Sequence, residues 1–323
     1  MSVRRHDIGD LVGHARQGQA RAVARLISLI EDGAPELREV AAALARDTGR
    51  AQVVGVTGAP GVGKSTSVSV VVAALRAAGK KVGVLAVDPS SPFSGGALLG
   101  DRIRMQDHAT DDGVFIRSMA TRGHLGGIAW STPQALRVLD AAGCDVVLVE
   151  TVGVGQSEVE VVALADTTVV LLAPGMGDGI QAAKAGILEV ADVFVVNKAD
   201  REGADRTVRD LKNMISLGRR DHAGPIWRPP IVRTVATRAE GIDDLVGAIE
   251  EHRGWMVGHG ELDARRQHRA EAEVEAIALA QLRGKLGDVG QGSALPGLAK
   301  RVVAGELDVY RAADELVAAF GAS

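Results

Sequence analysis

Aromatic residues make up only 2% of this 323-residue chain, so its core has to be built from aliphatic side chains, for which a hydrophobic content of 46% is ample. The single cysteine, Cys144, excludes an intramolecular disulfide and a cysteine-based metal cluster. It suits a reducing compartment, and beside an apolar run it reads as a small buried residue. The eight histidines are scattered, with no pair at metal-ligand spacing. Positive charge is not in excess either. A formal net charge of -4 gives no long-range attraction to nucleic acid or to an anionic membrane. No apolar run is long enough to span a bilayer, and the polar start, Met1 to Asp7, leads into an amphipathic segment rather than a signal-peptide core. A soluble, cytoplasmic protein is expected.

What the chain does have is one glycine-rich stretch in a telling context. Gly58, Ala59, Pro60, Gly61, Val62, Gly63, Lys64 and Ser65, followed by Thr66, match G-x-x-x-x-G-K-[ST]. The apolar run Val53 to Val56 before it reads as a buried strand, and Ser65 to Ala78 has helical character. Strand, glycine-rich turn and helix together make a phosphate site. The glycines let the turn curl, so that backbone N–H groups and the positive end of the helix converge on one small volume. In that arrangement Lys64 reaches the β and γ phosphates, and the Ser65 hydroxyl binds Mg²⁺.

Before this stretch, residues 7–48 carry three apolar stripes at helical spacing: Ile8, Leu11, Val12 and Ala15; Val23, Leu26, Ile27 and Ile30; Leu37, Val40 and Leu44. Such helices need a surface to lie on, and the domain that follows is the candidate. From Gln52 onward, aliphatic runs at 52–57, 82–87, 114–118, 145–150, 167–173, 192–197 and 231–235 alternate with helical stretches. Continuous Val/Ile/Leu runs of this kind predict an α/β, doubly wound, mostly parallel sheet covered on both faces, with ligands at the carboxyl ends of its strands. The expected layout is an N-terminal helical extension over 1–50, a phosphate-loop nucleotide domain over 51–258 and a C-terminal helical arm over 259–323.

The polar motifs fall at those strand ends. Asp88 ends the second run and Asp101 follows a loop of small residues; both are candidate Mg²⁺ ligands, direct or through water, although Asp88 also reads as a cap on the turn before Pro89. Glycines 95, 96 and 100 mark the segment around Asp101 and Arg104 as able to change shape, as expected of a switch that senses the γ-phosphate. Arg117 and Arg122 either stabilise phosphate charge or are solvated loop residues. Glu150 and Gly153 stand where phosphate-loop GTPases carry Asp-x-x-Gly, the carboxylate for the metal and the glycine amide for the γ-phosphate. Val154 follows, where many such enzymes have a glutamine that orients the attacking water. Slow hydrolysis by the isolated protein is therefore expected, with Gln156 either a substitute after rearrangement or a helix-start residue. Lys64, Asp101, Glu150 and Gly153 are the catalytic candidates. Pro174 to Gly179, with Asp178, and a following helix with Lys184, form either another movable segment or a simple connecting loop.

Base selection is read at Asn197, Lys198 and Asp200, an N-K-x-D directly after an apolar run. The Asp200 carboxylate can accept from both guanine N1–H and the exocyclic amine, a donor pair that adenine lacks. Lys198 offers its aliphatic stem to the face of the base, and Asn197 ties the loop together. After the last run come Val235, Ala236 and Thr237, where the Ala236 amide is the candidate donor to guanine O6. A helix over 242–257 closes the domain. The segment 261–286 reads as one long helix with a thin stripe of Val274, Ile277 and Leu282, a surface suited to a second copy of itself. A helical hairpin, 295–304 and 307–320, completes the chain.

Taken together, the blocks at 58–66, Asp88 to Pro92, Gly100 to Met105, Arg117 to Gly123, Glu150 to Glu158 and Asn197 to Asp200 resemble the MeaB/ArgK family, the methylmalonyl-CoA mutase-associated GTPases, over nearly the whole chain. The resemblance implies a fold similar to the signal-recognition/MinD/BioD class. It also implies a homodimeric GTPase chaperone that uses GTP/GDP and Mg²⁺, binds the adenosylcobalamin-dependent mutase and gates its cofactor. By the same likeness Asp88, Asp101 and Glu150 are metal and switch carboxylates, the segment from Pro174 to Lys184 is a further switch facing the mutase, and the 261–286 helix is a dimerisation arm. Two other readings compete. An ATP-dependent kinase of amino-acid-binding transport proteins is disfavoured by Asp200, and a metal-delivery GTPase by the lack of clustered Cys and His.

Overall fold

The seven aliphatic runs form seven strands: β1 (Gln52–Gly58), β2 (Val82–Pro89), β3 (Val114–Thr121), β4 (Val146–Thr151), β5 (Thr167–Leu172), β6 (Val193–Asn197) and β7 (Ile231–Thr234). In this computed structural model, which describes residues 7–89, 106–108, 110–121, 131–151, 163–175, 190–217, 226–291 and 294–321, they make one sheet in the order β3-β2-β4-β1-β5-β6-β7. Every neighbouring pair is parallel. Every residue of β4, β5 and β6 is buried, which is why these segments read as continuous apolar runs rather than alternating ones.

Two layers of helix cover the sheet. On one face lie α1 (Ile8–Arg16), α2 (Ala20–Glu31), α3 (Leu37–Leu44) and α5 (Ser131–Ala141), where Leu26, Ile27, Val40 and Leu44 pack with Leu85, Met119, Val147 and Val149. On the other lie α4 (Lys64–Ala77) and α7 (Ile242–His259), with Val68, Val72, Ile242 and Leu245 against Val54, Leu148 and Val195. Between them in sequence, α6 (Ala204–Leu217) covers Val170, Leu172, Phe194 and Val196. The N-terminal helices are thus integral to the sheet. Each Leu or Ile they bury contributes about 1.5–3 kcal/mol.

Arg117 belongs to this framework. Its guanidinium donates to Ser28 Oγ at 3.0 Å and pairs with Glu31, tying β3 to α2. Of the two readings the sequence left open for it, phosphate charge or solvated loop, the structure shows neither.

By contact the chain divides into two units, Met1–Arg265 and Arg266–Ser323. Within the first, Asp192 before β6 is 6% exposed and accepts from Thr168 N at 2.8 Å and from both terminal nitrogens of Arg265 at 2.9 and 2.8 Å. It also faces His252 Nε2 at 3.2 Å, and His252 Nδ1 meets Thr167 Oγ1 at 2.9 Å. Burial alone pushes the Asp192 carboxyl up, but the His252 and Arg265 contacts together outweigh it and hold the group below the ordinary carboxylate value. The second unit consists of the rest of α8 (Glu261–Gln291), α9 (Ala294–Val303) and α10 (Val309–Gly321), with Arg301 of α9 paired to Glu315 of α10 at 2.6 Å.

Candidate nucleotide site

In the strand order, β1 lies between β4 and β5, so the chain leaves β1 toward β2 on one side and later returns on the other. Ligands of open α/β sheets bind at such a switch point, outside the carboxyl ends of the strands. The glycine-rich turn begins here. Gly58, at φ +144, runs so close to β5 that a Cβ would overlap the Leu171 carbonyl. Gly63, at φ +97, would place a Cβ 2.5 Å from Asn197 Nδ2. Only glycine fits either position. Val62 is fully buried and anchors the turn, while Pro60, Gly61 and Thr66 are exposed.

The turn delivers charge inward. Lys64 is 6% exposed, and its Nζ donates to the Gly58 and Ala59 carbonyls at 2.6 and 3.2 Å, so the ammonium is held inside the curl of the loop. Helix α4 starts at that lysine and carries no carboxylate in its first turn, which leaves the positive end of the helix unneutralised. Next in line, Ser65 Oγ donates to Glu150 Oε1 at 2.6 Å, with both residues buried. Glu150 arrives because it is aligned with Val56 in the β1–β4 register and lies one residue before the end of β4. The backbone of Asp88 is placed on the neighbouring strand, beyond the Ala86–Glu150 and Val87–Thr151 pairs.

A second loop is bolted to the first. Asn197, 2% exposed at the end of β6, donates through Nδ2 to the Val62 carbonyl at 2.8 Å. Its Oδ1 accepts from Thr234 Oγ1 and from the Ala236 amide, each at 3.1 Å. Lys198, in the left-handed conformation at φ 57, lays its Nζ on the Gly61 carbonyl at 2.7 Å. Asp200 is exposed and has Arg238 Nη1 3.5 Å from its Oδ2; the same guanidinium pairs with Glu240 at 2.7 Å. The sequence pointed to the Ala236 amide as a donor to guanine, whereas the structure turns it onto Asn197, because the short 3-10 turn Ala236–Arg238 starts at that residue. Val235 and Thr237 flank it, Val235 buried and Thr237 exposed.

Sequence reasoning missed Arg238 and Thr234. Thr234 is an unremarkable strand residue by pattern, and Arg238 is one of many exposed arginines; only the return of β7 beside β6 brings them to the motif. Asp101, Arg104, Arg122, Gly153, Gln156, Asp178 and Lys184 lie outside the described residues, as does the side chain of Asp88.

A parallel sheet with a strand–glycine turn–helix phosphate cradle, an acidic strand end beside it and an N-K-x-D loop on its far side defines a phosphate-loop GTPase. A family model described as methylmalonyl-CoA mutase-associated GTPase MeaB matches residues 23–288. The chain belongs to that family. It is 48% identical over 310 residues to a Pyrococcus abyssi protein named as a GTPase, with 96% of each chain covered. It is 36% identical over 270 residues to the Escherichia coli GTPase ArgK, covering 81% of each. To the mouse protein named methylmalonic aciduria type A homolog, mitochondrial, it is 35% identical over 325 residues, 94% of this chain and 77% of that one. A crystal structure described as a LAO/AO transport system kinase superposes with a TM-score of 0.72 at 26% identity, covering 98% of both chains. GTP hydrolysis is the activity of this family.

Proposed function

We propose that this GTPase is a nucleotide-gated chaperone of an adenosylcobalamin-dependent methylmalonyl-CoA mutase. The observation that carries the reading is the direct Ser65–Glu150 bond, supported by the family match over 23–288 and by the name of the mouse relative. That bond joins the phosphate loop to the end of β4, so whatever alters one side of it is felt by the other. Glu150 and Thr151 lead straight into the segment in which the family resemblance places a switch. A change of phosphate state then becomes a change in what the mutase meets.

The donor set also fits Mg²⁺. Two buried hard oxygens, a hydroxyl and a carboxylate 2.6 Å apart, suit an ion that takes one or two protein oxygens and completes its shell with phosphate and water. Ser65 and Glu150 would hold it, with Asp88 and Asp101 as further proposed ligands. Once bound, Mg²⁺ supplies charge neutralisation at the phosphate oxygens. The chain's own share is separable. Lys64 and the first-turn amides of α4 bind the phosphates, Asn197 and Lys198 hold the base loop against the phosphate loop, and Asp200 reads the base. Gly153 and Gln156 stand in the proposed switch, as do Arg104, Asp178 and Lys184.

Val154 stands where many phosphate-loop GTPases carry the glutamine that orients the attacking water, so slow turnover by the protein alone belongs to the proposal. A single-turnover rate of several per second without a partner would count against it. We also propose that the protein is a homodimer joined by its C-terminal helices. These helices leave Val274, Leu279, Leu282, Val303 and Tyr310 exposed, Val303 at 89% and Tyr310 at 80%. Truncation after Arg265 should give a monomer in sedimentation. Beyond the absence, among the described residues, of any helix long and apolar enough to cross a membrane, a cytoplasmic location stays part of this proposal.

Pull-downs with the mutase, once with GDP and once with a non-hydrolysable GTP analogue, test the partner. Nucleotide-dependent recovery together with mutase-stimulated hydrolysis is expected. Recovery in neither state, with hydrolysis unmoved by the mutase, removes the assignment.

A further inference from the structure

One step past Val56 and Glu150 in the β1–β4 register stand Thr57 and Thr151. Thr57 is aligned with Val170 of β5, and Thr151 with Val87 of β2, which is aligned in turn with Met119 of β3. Five strands thus contribute one row across the sheet: Met119, Val87, Thr151, Thr57 and Val170. Neighbours in register point the same way and successive residues alternate, so this row faces away from α4, on the side opposite Val56. Its outer three members are buried hydrophobic residues, and its middle two carry hydroxyls.

Neither hydroxyl is satisfied. Thr57 and Thr151 are each 0% exposed, and neither Oγ1 has a hydrogen-bond partner. Other buried strand threonines differ: Thr167 Oγ1 meets His252 Nδ1 at 2.9 Å, and Thr234 Oγ1 donates to Asn197 at 3.1 Å. Strand geometry does not call for a hydroxyl at either place, since valine has the same branched shape and suits a strand as well. A buried donor without an acceptor raises the free energy of the arrangement that contains it. Two of them side by side favour any arrangement that supplies partners.

Each hydroxyl is one residue away from the groups that meet the phosphates. Thr57 precedes Gly58, whose carbonyl accepts from Lys64 Nζ at 2.6 Å, and Thr151 follows Glu150, which accepts from Ser65 Oγ at 2.6 Å. A phosphate competes with the Gly58 carbonyl for Lys64, and a divalent cation competes for the two oxygens of the Ser65–Glu150 bond. A bound triphosphate therefore acts on the ends of β1 and β4, where the two hydroxyls lie.

We propose, on the reading that the end of β4 follows the phosphate state, that Thr57 and Thr151 are positioning residues for GTP. Their hydroxyls are unpaired in this arrangement of the strand ends and paired in the one that holds a triphosphate, so together they raise the preference for GTP over GDP. Neither touches the nucleotide. They act by withholding stability from one arrangement, which a ligand that prefers the other then exploits.

The test measures dissociation constants for GDP and for a non-hydrolysable GTP analogue in excess magnesium, together with the melting temperature of the protein without nucleotide. Thr57→Val and Thr151→Val keep the shape and remove the unpaired group, so each should melt at or above the natural protein. GDP affinity should stay within about two-fold, while the analogue binds about five-fold or more weakly, and the double variant more weakly still. Serine at either position restores the hydroxyl and should restore the preference for the analogue, at some loss of thermal stability. Thr167→Val, which strips His252 and Gln52 of a partner, should melt lower and leave the ratio of the two affinities unchanged. A fall in melting temperature in both valine variants would mean that the hydroxyls are already paired, and it overturns the proposal. So does an affinity ratio that valine leaves within about two-fold of the natural one, or that Thr167→Val shifts equally. The series needs no mutase, so loss of the partner assignment would leave its outcome standing.

Discussion

Asn197 and Val62 are 135 residues apart in sequence and 2.8 Å apart in space, the amide of one donating to the carbonyl of the other. Because the same Asn197 side chain also accepts from Thr234 and Ala236, one buried residue holds the phosphate loop, the N-K-x-D loop and the turn after β7 in a single arrangement. Replacing it with alanine leaves a buried carbonyl, hydroxyl and amide to find new partners, at about 1–3 kcal/mol for each group left unsatisfied. Asn197→Ala is expected to weaken GDP binding by about ten- to a hundred-fold in fluorescence titration. Unchanged affinity would show that the loops hold their places without it.

Glu150→Gln separates the charge at the Ser65 contact from its hydrogen bond, since the amide oxygen still accepts from the hydroxyl. Thermal stability should change little. GDP affinity measured in magnesium and in EDTA should differ clearly for the natural protein and nearly coincide for the variant. A variant that keeps the full magnesium effect assigns the metal to other residues.

At Asp200 the issue is selectivity. Asp200→Asn exchanges an acceptor for a donor at the base, so the preference should move from GTP toward XTP, with GTP binding reduced by on the order of a hundred-fold. Arg238 lies beside that carboxylate but is half exposed, as is its contact with Glu240. Arg238→Ala is accordingly expected to leave GTP affinity within about five-fold of the natural protein's. Competition of GTP, XTP and ATP against a labelled nucleotide measures all three preferences.

Two glycines of the phosphate loop should respond differently to alanine. At Gly58 the new methyl overlaps the Leu171 backbone, which cannot yield without disturbing β5, whereas at Gly61, φ +78, it meets nothing within 4 Å. Gly61→Ala should cost about 1–2 kcal/mol of backbone strain, and Gly58→Ala distinctly more, with loss of nucleotide binding. Equal denaturant midpoints for the two variants would contradict the close β1–β5 approach.

The Asp192 cluster predicts an acid response. Its carboxyl is held below the ordinary value of 3.8 in the folded protein, so it binds a proton less readily than in the unfolded chain. Its stabilising contribution is therefore complete above about pH 4 and fades as pH falls through the depressed folded value. Asp111, lowered to about 2 by hydrogen bonds from Arg76 and the Gly113 amide, acts in the same direction. Asp192→Ala should cost about 3–5 kcal/mol at neutral pH by stripping Arg265 and His252 of their buried partner. It should also flatten the melting-temperature profile below about pH 4; a profile as steep as that of the natural protein would assign the acid loss elsewhere.

Much of this molecule is local information. A run such as Val146 to Val149 has nowhere to go but a strand buried on both faces, and a turn such as Gly58 to Gly63 admits few shapes, so the chain alone determined the parallel sheet, its helical cover and the position of the phosphate cradle. The order of the strands, and hence every contact between residues far apart in sequence, was settled only when the helices packed. That step brought Glu150 beside Ser65, sent Arg117 to Glu31 of α2, and turned the Ala236 amide onto Asn197. Side-chain partners at such distances depend on strand register and helix packing summed over the whole fold, and no short window of sequence contains that sum.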